Sequence, residues 1–148
     1  MKNADEIINF IKNDNIELAR NRIQQYYKDS KGQYFYYMGL SFCAEGNFRK
    51  AVDCFKKSEK SGLIDYKLFY NIGTSSIEIE DYSIAEVYFK KSLNINNGYE
   101  ECYINLAYLY YRLGDVKRAY RTIKSGMTYC SGNKLKYIEL RLISILGI

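Results

Sequence analysis

Histidine, proline and tryptophan are absent from this chain. Without histidine, the commonest general base and the commonest metal ligand are gone. Without proline, nothing interrupts helices or stiffens long loops, which suits helices joined by short turns. Cysteine is sparse: Cys43, Cys54, Cys102 and Cys130 lie at spacings of 11, 48 and 28, with no C-x-x-C. That is neither a zinc nor a thioredoxin pattern. Cys43 and Cys54 fall at helical positions beside core candidates, where a thiol acts as a small hydrophobe, so reduced structural thiols are expected. No apolar run approaches the ~18 residues of a membrane span. The opening Met1-Lys2-Asn3-Ala4-Asp5-Glu6 is polar and acidic, unlike a secretory signal. The expectations are a cytoplasmic location, no membrane partner, no metal and no cofactor.

What the chain does have is 47% apolar residues and 17 tyrosines among 148 residues. That is a globular composition, and the length suits one domain burying about two-thirds of its unfolded surface. Its organising pattern runs from Gly39 to Phe55: Gly39, Phe42, Gly46-Asn47-Phe48, Ala51, Phe55. Every member has a counterpart at +34: Gly73, Ser76, Glu80-Asp81-Tyr82, Ala85, Phe89. A third copy reads Ala107, Tyr110, Gly114-Asp115-Val116, Ala119, Ile123. A 34-residue period with small residues at two fixed slots marks a helix–turn–helix repeat.

The chain therefore divides into helix pairs. Asp5–Lys12 and Ile16–Lys28 form an irregular first pair, since Ala19 precedes Ala51 by only 32 residues. Lys31-Gly32 reads as a break. The next pairs are Gln33–Glu45 with Phe48–Lys60, Tyr66–Ile79 with Tyr82–Asn94, and Tyr99–Leu113 with Val116–Tyr129. A last helix spans Lys134–Leu146. The turns within the pairs, Asp14-Asn15, Gly46-Asn47, Glu80-Asp81 and Gly114-Asp115, each place Asn or Asp where the second helix needs an N-cap. Small residues at Gly39, Gly73 and Ala107 face Ala51, Ala85 and Ala119 and let the two helices approach, with Phe55, Phe89 and Ile123 behind. One pair cannot bury its own apolar face, so each needs the next.

These residues resemble the tetratricopeptide repeat family. The resemblance covers residues 32–131. Phe69 and Tyr103 replace the usual Trp, Ser76 replaces Tyr, and the late Pro is missing. It implies an all-α fold: a right-handed α-solenoid of about four antiparallel helix pairs plus a C-terminal capping helix. The whole chain, 1–148, is then a single domain, with a degenerate pair at 1–30, full repeats at 32–65, 66–99 and 100–133, and the cap at 134–148. It also implies a concave groove lined by the first helix of each pair, binding a peptide or protein segment without catalysis.

Periodic positions on the groove side name the candidate residues. Asn71 and Asn105 are 34 apart. Amides a repeat apart can hold a peptide backbone, each donating and accepting; the competing reading is two neutral surface residues. Tyr37, Tyr70, Tyr108 and Tyr111, with Arg112, would supply contact area. Packing between repeats is the alternative reading for Tyr36 and Tyr70, which share a slot. A terminal-carboxylate clamp of the kind some members carry is rejected, because Tyr36, Leu40, Glu101 and Asn105 stand where its other polar residues belong.

Charge is uneven. Residues 1–65 carry 11 basic and 9 acidic side chains, 66–115 carry 4 and 7, and 116–148 carry 7 and 1. The basic residues cluster on the second helices: Arg49, Lys50, Lys56, Lys57 and Lys60 on one, Lys117, Arg118, Arg121 and Lys124 on another. With a net charge of +5 and no nucleic-acid-binding motif, a solvated outer face is the expectation and nucleic acid is not. The last helix carries a stripe of Leu135, Ile138, Leu142 and Ile145, and Leu146-Gly147-Ile148 closes it apolar. A helix apolar around most of its circumference suggests cover by a second copy or a partner. Self-assembly through that stripe is thus the alternative to a peptide-binding scaffold. An enzyme is not expected, since no nucleophile–base pair or phosphate loop accompanies the missing histidine.

Overall fold

The computed structural model describes residues 2–147 and holds nine α-helices among them. They are α1 (Lys2–Lys12), α2 (Ile16–Tyr27), α3 (Lys31–Ala44), α4 (Phe48–Lys60), α5 (Tyr66–Glu78), α6 (Tyr82–Ile95), α7 (Glu100–Arg112), α8 (Val116–Gly126) and α9 (Asn133–Leu146). Odd and even helices pair as α1/α2, α3/α4, α5/α6 and α7/α8, and each even helix also packs on the next odd one, ending with α9 on α8. Odd helices touch each other as well, α1 with α3 and α5 with α7, whereas no two even helices pack to that extent. The odd helices therefore form the inner layer of an all-α solenoid and the even helices the outer one. No described helix is long and apolar enough to cross a membrane.

The turns inside the pairs share one conformation. Asp14, Gly46, Glu80 and Gly114 all have left-handed backbone, with φ of 59°, 72°, 62° and 78°. The residue after each is the N-cap of the next helix. Asn47, Asp81 and Asp115 accept hydrogen bonds from the backbone N–H groups of Lys50, Ile84 and Arg118 at 3.3, 3.2 and 2.9 Å. Asn15 in the irregular first pair makes no such bond. The left-handed region suits glycine and strains a residue with a Cβ.

Helix contact within α3/α4 and within α5/α6 is set by an aromatic ring on a glycine. The Phe55 ring lies on Gly39, and a Cβ built on Gly73 would stand 2.6 Å from Phe89 Cε1. The rings are thus in the contact itself, not in the space behind it as the sequence suggested. Both phenylalanines and Ala51, Ala85 and Ala119 are fully buried. A second pin joins the far end of the two central pairs. Ser58 Oγ donates to the Gly32 carbonyl at 2.7 Å, and Ser92 Oγ to the Tyr66 carbonyl at 2.8 Å. The next serine position holds Gly126, against which the Tyr103 ring packs.

Two boundaries differ from the sequence reading for related reasons. Gly32 is helical and does not break the chain, because it serves as a close-packing site: a Cβ there would lie 3.2 Å from Leu63 Cβ. Helix α8 ends at Gly126 and not at Tyr129, with Cys130 N–H bonded to the Gly126 carbonyl across a turn. The spacing also shortens at the end. Buried Cys102, Leu106 and Leu109 of α7 correspond to buried Leu135, Glu139 and Leu142 of α9, 33 residues on. In that register Leu140 takes the small slot of Gly73 and Ala107, and it is 56% exposed, since no helix among the described residues covers it. Glu139, in an otherwise apolar slot, is matched by Lys124 at 2.9 Å.

Two stability measurements test this description. Glu80→Gly relieves a left-handed glutamate and is expected to raise unfolding stability by about 1 kcal/mol in urea denaturation. Gly73→Ala drives a methyl into the buried Phe89 ring and is expected to lower it by about 2 kcal/mol.

Candidate functional site

The inner layer carries a ladder of polar contacts between successive odd helices. Asn71 Nδ2 on α5 donates to the Tyr36 hydroxyl on α3 at 3.4 Å, and Asn105 Nδ2 on α7 donates to the Tyr70 hydroxyl on α5 at 2.8 Å. Burial pushes both hydroxyls above the ordinary tyrosine range, with the asparagine bonds pulling the other way. Both tyrosines are therefore neutral phenols. The Tyr70 ring also meets the Tyr99 ring edge-on at 5.0 Å, so Tyr70 belongs to packing between repeats. Asn71 and Asn105 are half-buried, and their side-chain oxygens accept nothing from the described residues.

Tyr37 is not on this wall. It is 7% exposed, stacked on Tyr27 at 5.1 Å and packed with Ile7 and Ile23, and burial raises its hydroxyl to about 12. It holds the slot of Asn71 and Asn105, 34 and 68 residues on, but the first helix pair covers it with Ile7, Ile23 and Tyr27 and turns that slot into core.

Beyond Asn105 the ladder changes character. Ile104 occupies the tyrosine position and Ile138 of α9 the asparagine position, and no hydrogen bond forms there. Between α7 and α9 a cleft of about 320 Å³ opens. Tyr108 and Tyr111 line it from α7, and Tyr137, Arg141 and Ile145 from α9, with Ile104, Ala107, Ile138 and Leu142 completing it. Its rim is unusually accessible for such side chains: Tyr108 is 48%, Tyr137 62% and Ile145 53% exposed. Arg112, at the end of α7, lies over the Tyr82 and Tyr108 rings at 5.6 and 6.0 Å, and Arg141 over the Tyr137 ring at 5.9 Å.

The predicted interface stripe divides. Leu135 and Leu142 are buried in the chain's own core with Cys102, Leu109, Ala119 and Ile123, so they are not available to a second copy. They are drawn inward because α9 packs on α8 as α7 packs on α6. Ile138 is half-buried and Ile145 exposed, both within the cleft. Ile148 lies outside the described residues. The sequence treated Tyr108 and Tyr111 as one site and the α9 stripe as another, whereas the fold brings their accessible members together. Tyr137 and Arg141 were missed. The signal was available in α9, whose register differs by one residue from the 34-residue repeat.

The basic residues of the outer layer are partly engaged within the chain. Lys50 and Lys57 lie over the Phe42 and Phe35 rings at 5.5 and 5.6 Å, and Arg118 pairs with Asp115 at 2.7 Å. The four cysteines are free, and burial raises the Cys102 thiol to about 12, which keeps it unreactive.

This architecture, inner and outer helices repeating in pairs, is that of an α-solenoid. Residues 66–99, the third pair, match the family model of the tetratricopeptide repeat. The fold is shared over almost the whole chain with solved proteins of that family. YrrB, described as a TPR protein with an unusual peptide-binding site, superposes with a TM-score of 0.75 at 16% identity, covering 99% of this chain and 77% of YrrB. The first TPR domain of Spaghetti (RPAP3), solved with the HSP90 peptide SRMEEVD, superposes with a TM-score of 0.69 at 14% identity, covering 80% of this chain and 97% of that one. Among curated proteins, ycf37 of Guillardia theta is 25% identical over an alignment of 131 residues, the match covering 82% of this chain and 72% of ycf37. The chain thus shares the fold of tetratricopeptide repeat proteins, and its third helix pair matches the repeat itself.

The ladder has its own test. Asn105→Ala leaves the Tyr70 hydroxyl without its partner and is expected to lower stability by about 1 kcal/mol in urea denaturation. The longer Asn71 contact predicts a smaller loss for Asn71→Ala in the same assay.

Proposed function

We propose that this chain is a non-catalytic scaffold that holds a peptide or protein segment along its inner face, with the cleft between α7 and α9 as the anchoring point. The observation that carries the reading is the cleft itself. It is concave, built from helices, lined by aromatic and aliphatic side chains, and accessible. At about 320 Å³ it lies at the small end of ligand pockets, roughly 300–1,000 Å³, which suits one anchoring side chain better than a whole small molecule. Tyrosine gives contact area with a polar tip and little entropy to lose, so Tyr108, Tyr111 and Tyr137 suit such a wall. Asn71 and Asn105 continue the site toward α3. Their N–H groups are held by tyrosine hydroxyls, which orients the free side-chain oxygens to accept from a backbone. Peptide binding by the related folds of YrrB and RPAP3 supports the class of ligand and says nothing of its sequence.

A second reading rests on Leu140, whose exposure on α9 beside Tyr137 leaves an apolar strip open to another copy of the chain. Light scattering distinguishes the two. The scaffold reading expects a mass near 17.4 kDa at every concentration, and a dimer dissolved by Leu140→Glu would establish self-assembly in its place.

Selection of a random twelve-residue peptide library on the immobilised chain tests the scaffold directly. Wild type is expected to enrich a common motif, and the Tyr108→Ala/Tyr137→Ala variant to bind the selected peptides at least ~10-fold more weakly, about 1.4 kcal/mol. Lys56→Ala on the outer face of α4 should bind as wild type does. Equal binding by all three would place the site elsewhere.

A further inference from the structure

Resting on the peptide-binding reading above, we infer that the α7–α9 cleft selects a protein segment in which a bulky apolar side chain is followed or preceded, within four residues, by an aspartate or glutamate. The cleft supplies the first half of the specificity. Ile104, Ile138 and Ile145 offer apolar surface between three tyrosine rings, and no acidic residue lines it. The second half comes from two guanidinium groups at its edge. Arg20, Arg22 and Arg118 each pair with a carboxylate of the chain, to Glu45, Glu6 and Asp115. Arg141 and Arg112 do not; among the described residues their only close partners are the aromatic rings beneath them.

A guanidinium resting on a ring keeps its N–H edge free, and that edge matches a carboxylate in a two-bond fork. The acidic groups near α9 are committed elsewhere: Glu139 holds Lys124 at 2.9 Å on the far side of the helix, and Glu101 holds Lys134 at 3.6 Å. The charge on α9 has the matching sign, since it carries Lys134, Lys136 and Arg141 against Glu139. An apolar anchor entering the cleft takes water away from Arg141, and that loss is offset where the incoming segment brings its own carboxylate. The carboxylate is that of a side chain. A chain terminus held along the Asn71–Asn105 ladder would instead meet Glu101.

The library selection separates this inference from the one it rests on. The peptides are displayed at the N-terminus of a coat protein, so none has a free terminal carboxylate. The wild-type chain is expected to enrich peptides pairing Phe, Leu, Ile, Met or Trp with Asp or Glu inside a four-residue window. Arg141→Glu, an exposed change, is expected to keep the apolar preference, lose the acidic one, and bind the wild-type winners at least ~10-fold more weakly, about 1.4 kcal/mol. Thermal melts matching wild type confirm that the variant is folded. Raising salt from 50 to 500 mM should weaken wild type more than the variant. If apolar motifs emerge without acidic neighbours, or Arg141→Glu binds the same peptides equally well, the charge selection is overturned while the cleft stands. If no motif emerges, or the motif is indifferent to Tyr108→Ala/Tyr137→Ala, the cleft itself is refuted.

Discussion

An aromatic ring seated on a glycine sets the geometry of this solenoid. Phe55 on Gly39 and Phe89 on Gly73 fix how closely the two helices of a pair approach, and neither partner tolerates growth. Because the rings are fully buried, each of these two pairs is one closely packed unit. The serine bonds from Ser58 and Ser92 fasten the opposite end of the same pairs. With both ends held, what remains for neighbouring pairs is to present a reproducible surface, and the odd helices do so along the inner layer.

That surface is graded. At the N-terminal side Tyr36, Tyr70 and their asparagine partners make a polar, half-buried rail whose hydroxyls burial keeps protonated. At the C-terminal side the same positions hold Ile104 and Ile138, and the rail gives way to an apolar cleft flanked by arginine. Helix α9 is what makes the second half possible. It packs through Leu135, Glu139 and Leu142 in the manner of an inner helix, yet brings Tyr137, Arg141 and Ile145 into the open. Its buried glutamate, neutralised by Lys124, shows that the slot is imposed by packing and adapted to by charge.

Much of the fold was legible because the features that encode it are periodic. Gly39, Gly73 and Ala107 recur at 34, and so do the turn residues whose left-handed backbone and N-caps the structure displays. What was not legible lay where the period slips. The first unit is two residues short, and its side chains, Ile7, Ile23 and Tyr27, cover Tyr37, which holds the slot of Asn71 and Asn105 in the next unit. The last unit is one residue short, which moved Arg141 and Tyr137 out of any list drawn up by the repeat. Gly32 looked like a chain break because a glycine at a helix-breaking position and one at a close-packed position are the same letter; only Leu63 against it decides. Asn71 and Asn105 were found by their spacing, but their tyrosine partners involve contacts 35 residues apart, a different interval from the repeat that located them.

Leu140 gives the molecule a polarity along its axis. Stacking of one pair on the next can continue through α8 onto α9, but a helix laid on α9 as α4 lies on α3 would encounter an isobutyl group where the earlier pairs have hydrogen or methyl. Engineered elongation at this end therefore calls for Leu140→Gly together with a phenylalanine in the added helix. Left as it is, the side chain is a steric mismatch to the ring-on-glycine packing of Gly39 and Gly73, set beside the surface that the solenoid holds open.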